Sequence, residues 1–138
     1  MIEVSVSVSI ARPAEQVWAI LGGFDFLPRW VEPIASSRLD DGGRLRRLET
    51  VDGAVIVERL LEFSDSERQY SYALLESPFP VSDYVGRVAV RDDGAGGAQA
   101  TWSSRFRSQG VDEVEIAADF EGFYQAGLER LKALVEGQ

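Results

Sequence analysis

The stretch that decides the fold is the C-terminal segment from residue 112 to residue 136, DEVEIAADFEGFYQAGLERLKALVE. Its apolar residues recur at intervals of three and four, which is the period of a helix with one buried face. This stripe contains Ile116, Phe120, Phe123, Tyr124, Gly127, Leu128, Leu131, Leu134 and Val135. Acidic residues crowd the start of the segment, and Arg130 and Lys132 lie towards its end, which complements the helix dipole. The pattern predicts a helix over about 112–136, roughly 36 Å long.

The segments before this helix predict an antiparallel sheet. Polar and apolar residues alternate from Glu3 to Ile10, which is the period of a strand with one buried face. Pro13 then predicts the start of a short helix, because proline is tolerated in a first helical turn. Turn signals after residue 34 delimit strands near 34–39, 44–51, 54–63, 69–76, 83–91 and 99–107. Short connections make consecutive strands antiparallel neighbours, so we predict an α+β fold in which a curved seven-stranded sheet grips the long helix.

The composition narrows the classes of function. The 138 residues suit a single domain over 1–138, and a formal net charge of −9 disfavours nucleic acid and membrane surfaces as partners. The chain has no Cys and no His, which removes thiol nucleophiles, Ser-His-Asp triads and the commonest transition-metal ligands. We therefore expect no cofactor and no metal. The N-terminus lacks the basic start and apolar core of a signal peptide, which predicts a cytoplasmic protein.

The loop between strands 44–51 and 54–63 determines which of their residues pair. A two-residue loop places Arg46 opposite Arg59, which is unfavourable because like charges then face each other. A three-residue loop with Gly53 at the positive-φ bulge position instead places Arg46 opposite Glu58, and we prefer this register. On the concave face such a pair would orient a polar group of a ligand. At the rim of the sheet it would simply stay hydrated.

Three further features have both a structural and a functional interpretation. Tyr and Trp residues on the inward face suit a semi-polar cavity, and core packing explains them equally well. The stiff turn 77–81 carries Phe79, which is a candidate gate over a cavity mouth, although turn chemistry alone also accounts for it. Gly127 interrupts the apolar stripe of the helix, where it either opens space for a ligand or allows close helix-to-sheet packing.

Several short motifs in order resemble a known group of proteins. They are Pro13–Trp18, Phe24-Asp25, Trp30, Arg46, Val57–Leu60, Tyr72, Pro78, Pro80, Tyr84, Trp102 and Phe106. Their order and spacing resemble the polyketide cyclase/dehydrase-like branch of the START/Bet v 1 (SRPBCC) superfamily. The resemblance implies a helix-grip fold with two short helices after strand 1, and a cavity for lipids, sterols, polyketides or similar molecules. Many members only bind their ligand, so the fold alone does not decide the function.

Three functions remain open from the sequence. The first is a non-catalytic binding or carrier protein for a small hydrophobic or amphipathic molecule, held in a cavity between the sheet and the C-terminal helix. The second is a metal-independent enzyme of cyclase, aromatase or dehydratase type, in which Glu58 accepts a proton and Arg46, Tyr72 or Tyr84 holds a developing enolate oxygen. The third is an interaction module that uses exposed aromatics around Phe26, Trp30 and Phe79.

The candidate site comprises the residues that strand alternation and the helical stripe direct inward. The candidate ligand contacts are Trp30, Arg46, Leu48, Glu58, Leu60, Tyr72, Leu74, Phe79, Tyr84, Trp102, Ser104, Phe120, Phe123, Tyr124 and Gly127. Glu58, Arg46 and Tyr84 are the catalytic candidates if the protein is an enzyme. The identity of the ligand and the oligomeric state, monomer or homodimer, are open at this point.

Overall fold

One antiparallel sheet and one long helix account for most of the chain. The computed structural model describes residues 1–138. Its elements are β1 (Ile2–Ile10), α1 (Ala14–Leu21), α2 (Leu27–Trp30), β2 (Ile34–Asp40), β3 (Leu45–Thr50), β4 (Val55–Ser64), β5 (Gln69–Glu76), β6 (Val81–Asp92), β7 (Ala98–Ser108) and α3 (Glu113–Glu136). A short 3-10 turn, Asp41–Gly43, joins β2 to β3. None of the helices is long and apolar enough to cross a bilayer.

The seven strands are arranged in the order β1-β7-β6-β5-β4-β3-β2. From β2 to β7 each strand pairs with the next along the chain, as short connections require, and β1 pairs with β7. α3 packs across the face on which the apolar residues of the strands are buried. The predicted α+β helix-grip fold, with a curved seven-stranded sheet and two short helices after strand 1, is therefore confirmed.

The β3–β4 register is the one that charge pairing predicted. Arg46 lies opposite Glu58, and Leu48 lies opposite Ile56. Gly53 has a φ of 90°, the left-handed conformation that the three-residue loop requires of it. This register brings an arginine and a glutamate to the same face of neighbouring strands.

α3 begins where the sequence predicted and buries most of the expected stripe. Asp112 caps the helix, because its carboxylate accepts a hydrogen bond from the Glu115 N–H at 3.1 Å. The buried residues of the helix are Ile116, Phe120, Tyr124, Gly127, Leu128, Leu131 and Val135. The assignment of Leu134 to this face is wrong, since the residue is 38% exposed. It lies one position before Val135, a rotation of about 100° around the helix away from the sheet.

The two short helices close one end of the sheet. The indole of Trp18 on α1 donates a hydrogen bond to Asp65 Oδ1 at 2.9 Å, which ties the helix to the β4–β5 turn. α2 buries Leu27 and Trp30 and contacts β2 and α3. The sheet, α3 and this end cap together enclose the interior in which the candidate site residues lie.

Candidate functional site

The side chains predicted to face inward are assembled on one side of the sheet. Most are buried in the core, namely Trp30, Arg46, Leu48, Glu58, Tyr72, Tyr84, Trp102, Ser104, Phe120, Tyr124 and Gly127. The half-buried ones are Leu60, Leu74, Phe79 and Phe123. Strand alternation therefore identified the correct side of the sheet. That these residues contact a ligand stays a prediction.

Arg46 on β3 is a buried cation, with 1% of its surface exposed. Its Nε donates to Glu58 Oε1 at 2.7 Å, because the register sets the two residues opposite each other. Its Nη1 donates to the Phe24 carbonyl at 2.9 Å and to the Tyr70 hydroxyl at 3.0 Å. The guanidinium carbon also lies 4.3 Å from the centre of the Phe24 ring, a cation–π contact. These contacts offset the loss of hydration that burial imposes on the charge.

Opposing effects act on the pKa values of Arg46 and Tyr70. Burial lowers the pKa of Arg46, but Tyr70 and Glu58 beside it raise that pKa, and the net shift is upward. Burial raises the pKa of Tyr70, and the neighbouring Arg46 offsets only part of this rise. At neutral pH the site therefore contains a fixed positive charge beside a neutral phenol.

Glu58 on β4 has one carboxylate oxygen engaged and one without a protein partner. Oε1 accepts the bond from Arg46, whereas Oε2 accepts no hydrogen bond. The residue retains 7% of its surface exposed. A carboxylate can accept on both oxygens, so Oε2 is an available acceptor at the edge of the buried pair. It is placed to orient a polar ligand group or to accept a proton.

A chain of hydrogen bonds connects the aromatic hydroxyls beneath α3. The indole of Trp102 donates to the Tyr72 hydroxyl at 2.9 Å, and the Tyr72 and Tyr84 hydroxyls lie 3.4 Å apart. Tyr84 is also hydrogen-bonded to Tyr124, whose hydroxyl donates to Ser104 Oγ at 2.7 Å. The polar tips that the sequence directed towards a ligand are therefore paired with one another in this structure.

Burial keeps these phenols neutral. Desolvation raises the pKa of Tyr72 and of Tyr84 well above the ordinary value, and the nearby Glu58 raises that of Tyr72 further. The pKa of Tyr124 is also raised, mainly by burial. Neutral phenols donate hydrogen bonds and do not act as bases, so Glu58 is the better candidate for a proton acceptor in this interior.

Gly127 on α3 lies where the helix passes closest to two indole rings. A Cβ atom at this position would lie 3.1 Å from Trp102 Cζ3 and 3.3 Å from Trp30 Cζ3. The two rings meet edge to face, with centroids 5.1 Å apart. Of the two interpretations of this glycine, the structure displays close helix-to-sheet packing. The Trp30 indole N–H is buried there without a hydrogen-bond partner.

An open cleft of about 450 Å³ lies at the end of the interior opposite α1. It runs between the β5–β6 turn and the first half of α3. Its lining residues are Phe79, Pro80, Val111, Glu115, Ile116, Asp119, Phe120 and Phe123. Most of the lining is apolar, and the two carboxylates stand on its exposed rim. We call this feature the α3 cleft.

Phe79 stands between the α3 cleft and the interior. Its ring packs edge to face on Phe120, with centroids 5.5 Å apart. On its other side it lines a smaller concavity of about 230 Å³, which Leu74 and Tyr84 also line. The role of Phe79 as a gate stays a prediction.

One sequence-based assignment needs correction, and several residues were missed. The interpretation of Trp30 as part of an exposed partner surface is wrong, because the residue is fully buried against Trp102. Phe24 and Tyr70 were not among the candidates, although both contact Arg46. Tyr70 shares the alternation of Tyr72, so its signal was present in the sequence. The cleft residues outside the candidate set are Pro80, Val111, Glu115, Ile116 and Asp119.

The sheet, the helix and the enclosed polar interior define a helix-grip protein of the Bet v 1-like class. A family model described as polyketide cyclase/dehydrase and lipid transport matches residues 1–136. The chain therefore belongs to this family, within the SRPBCC superfamily that the sequence motifs resembled. A search of curated proteins found no match.

Solved structures with the same fold include both close and distant relatives. XoxI from Bacillus cereus is 38% identical, with a TM-score of 0.95 and coverage of 98% of this chain and 96% of that chain. A protein from Bacillus thuringiensis is 36% identical, with a TM-score of 0.93 and coverage of 97% and 98%. The ZhuI aromatase/cyclase from Streptomyces sp. R1128 is 16% identical, with a TM-score of 0.81 and coverage of 98% and 93%, a likeness of fold alone.

Proposed function

We propose that the protein binds a small hydrophobic or amphipathic molecule and acts as a non-catalytic binding or carrier protein. The observation that carries this proposal is the α3 cleft, whose volume of about 450 Å³ is within the usual range for small-molecule sites. Phe79, Phe120 and Phe123 supply aromatic walls, and the cleft adjoins the aromatic interior through Phe79. The family's lipid-transport and cyclase members, and the aromatase/cyclase of the same fold, are consistent with an apolar ligand.

The hydrogen bonding and charge pairing of the interior support a binding function rather than catalysis. The hydroxyls of Tyr72, Tyr84 and Tyr124 already have protein partners, and the charge of Arg46 is balanced by Glu58. A ligand in the α3 cleft would bury apolar surface without breaking these bonds. The favourable free energy would come from that burial, at about 25 cal/mol per Å².

A neutral fluorescent probe, N-phenyl-1-naphthylamine, tests the proposal by titration. We expect saturable binding to the wild-type protein, and about fivefold weaker binding to Phe79→Ala, because an aromatic wall contact is worth about 1 kcal/mol. Phe63→Ala is the matched control, since Phe63 is a half-exposed ring beside Tyr70 at the opposite end of β5. The proposal fails if the probe shows no saturable binding and no aromatic or lipid-like compound raises the melting temperature of the protein.

A second candidate function rests on the unpartnered Oε2 of Glu58. In a cyclase- or dehydratase-type enzyme this oxygen would accept a proton from a bound polyketide-like substrate, while Tyr72 or Tyr84 would donate to the enolate oxygen. Turnover of a poly-β-ketone mimic, abolished in Glu58→Gln and retained in Glu62→Gln, would favour this function. Glu62 is an exposed carboxylate on the same strand. An equal rate in Glu58→Gln, with the fold intact by circular dichroism, would exclude Glu58 as the base.

A further inference from the structure

Two carboxylates stand at the rim of the α3 cleft, and the apolar lining of the cleft does not explain their presence. Glu115 and Asp119 are one helical turn apart on α3, and both line the cleft. None of the lining residues is a lysine or an arginine. Neither carboxylate forms a salt bridge or accepts a hydrogen bond from another residue, although other acidic side chains of the chain do both. The rim of the cleft therefore presents two uncompensated negative charges beside aromatic rings.

Helix stability does not explain this pair. An acidic residue in the first turn of a helix is favoured by the dipole, and Glu115 is in that turn. Asp119 lies beyond it, where the effect of the dipole has faded. Like charges four residues apart on a helix repel each other and destabilise it slightly. A cation held between the two carboxylates would relieve that repulsion.

We propose that the ligand of the α3 cleft is an amphipathic cation, an organic amine with a compact apolar body. This inference rests on the proposed binding function and specifies its ligand class. The body would lie against Phe79, Phe120 and Phe123, while the protonated amine would point to the rim and meet Glu115 and Asp119. The charge of −9 on the whole chain adds a longer-range attraction for the same ligands.

Three ligands that share one ring system test the inference. They are 2-(1-naphthyl)ethylamine, 2-(1-naphthyl)ethanol and 1-naphthylacetate, measured by isothermal titration calorimetry at pH 7 in low salt. We expect the amine to bind about fivefold more tightly than the alcohol, because a unit charge pair near 4 Å in water gives roughly that factor. The carboxylate should bind more weakly than the alcohol. The preference for the amine should shrink as the salt concentration rises.

Charge-removing variants locate the effect. Glu115→Gln with Asp119→Asn should reduce the ratio of the two affinities, amine over alcohol, to less than twofold. Glu121→Gln is the matched control, because this exposed residue lies on α3 outside the cleft. It should retain the preference for the amine.

The outcomes separate the two levels of the proposal. If the amine and the alcohol bind equally well, the assignment of a cationic ligand is wrong and the apolar binding site stands. If Glu121→Gln lowers the preference as much as the double variant, the attraction comes from the overall charge and the assignment to the rim carboxylates is wrong. If none of the three ligands binds and the neutral probe also fails, the proposed binding function falls, and this inference falls with it.

Discussion

The two ends of the space between the sheet and α3 differ in whether their charged and polar groups have partners within the protein. Towards α1 and α2, the charge of Arg46 is met by Glu58, Phe24 and Tyr70. Beneath the middle of α3, the phenols and Ser104 bond to one another. At the α3 cleft, apolar walls face open space and two carboxylates have no partner. We call the first two regions together the closed interior.

This difference separates stability from binding. A buried polar group costs free energy unless it is hydrogen-bonded. Breaking the hydrogen bonds of the closed interior would therefore lower the stability of the fold. Apolar surface left open at a cleft is instead available to gain free energy when a ligand covers it. We therefore expect changes in the closed interior to act mainly on folding, and changes in the α3 cleft to act mainly on ligand affinity.

Alkaline pH should give the largest effect, and it reports chiefly on the closed interior, where the tyrosines are buried. The chain has 4 tyrosines, and the pKa of each is raised in the folded state, chiefly by burial. A raised folded-state pKa contributes stability that is present below the unfolded pKa of about 10 and is lost as the pH rises beyond it. Between pH 10 and pH 11 we therefore expect the free energy of unfolding to fall, by up to about 1 kcal/mol for each tyrosine that stays protonated in the folded protein.

Two measurements check this expectation. Urea unfolding at a series of pH values gives the free energy of unfolding directly, and absorbance at 295 nm follows the formation of tyrosinate. The folded protein should show little tyrosinate at pH 10, whereas the protein in denaturant should titrate with an ordinary pKa. Half of the tyrosines ionising in the folded protein at pH 10 would mean that water reaches the closed interior.

Removal of the buried cation should be the next largest effect. Arg46→Met leaves Glu58 as an unpaired charge in the core, which costs about 3 kcal/mol. Arg47→Met is the control, because the neighbouring side chain is exposed on the other face of β3 and its loss should change stability by less than about 0.5 kcal/mol. Equal losses in the two variants, measured by urea denaturation, would contradict the buried ion pair.

The sequence was sufficient for the fold and for this ion pair, for identifiable reasons. The β3–β4 register depends on one loop length and on which charges face each other, and both are local features of residues 46–58. The long helix depends on a period that repeats through residues 112–136. Local patterns of this kind are read from neighbouring residues without knowing the rest of the structure.

The state of the interior could not be predicted from the same patterns. Alternation states which side of a sheet a ring lies on, but it does not state how far the ring reaches. Gly86 lies opposite Tyr72, and a Cβ atom there would lie 2.3 Å from the Tyr72 ring, so this glycine allows the phenol to reach Tyr84. The α3 cleft likewise joins Phe79 to residues about forty positions away in the chain. Such contacts between residues that are distant in the sequence depend on the tertiary structure, and they decide whether a predicted cavity is filled.

Two glycines on α3 give a smaller and more local test of the packing. Gly122→Ala should stabilise the protein by about 1 kcal/mol, because no atom lies within 4 Å of the new methyl group and alanine is the better helix former. The Gly127→Ala variant should have a free energy of unfolding about 1–2 kcal/mol lower than that of Gly122→Ala, because the methyl group would press on two buried indoles. Thermal and urea unfolding measure both. An equal gain in the two variants would mean that space exists beside Trp30 and Trp102, as a mid-helix ligand site would require.

The smallest effect on stability should come from the wall of the α3 cleft. Phe79→Ala removes a half-buried ring, and we expect a loss of about 1 kcal/mol, because the deleted atoms were already partly in water. Phe106→Ala deletes the same side chain where it is fully buried between Tyr84 and Phe120, and should cost about 3–5 kcal/mol. A Phe79→Ala variant as unstable as Phe106→Ala would mean that the cleft is closed by its own aromatic rings in solution. The apolar surface on which the binding proposal depends would then not be available to a ligand.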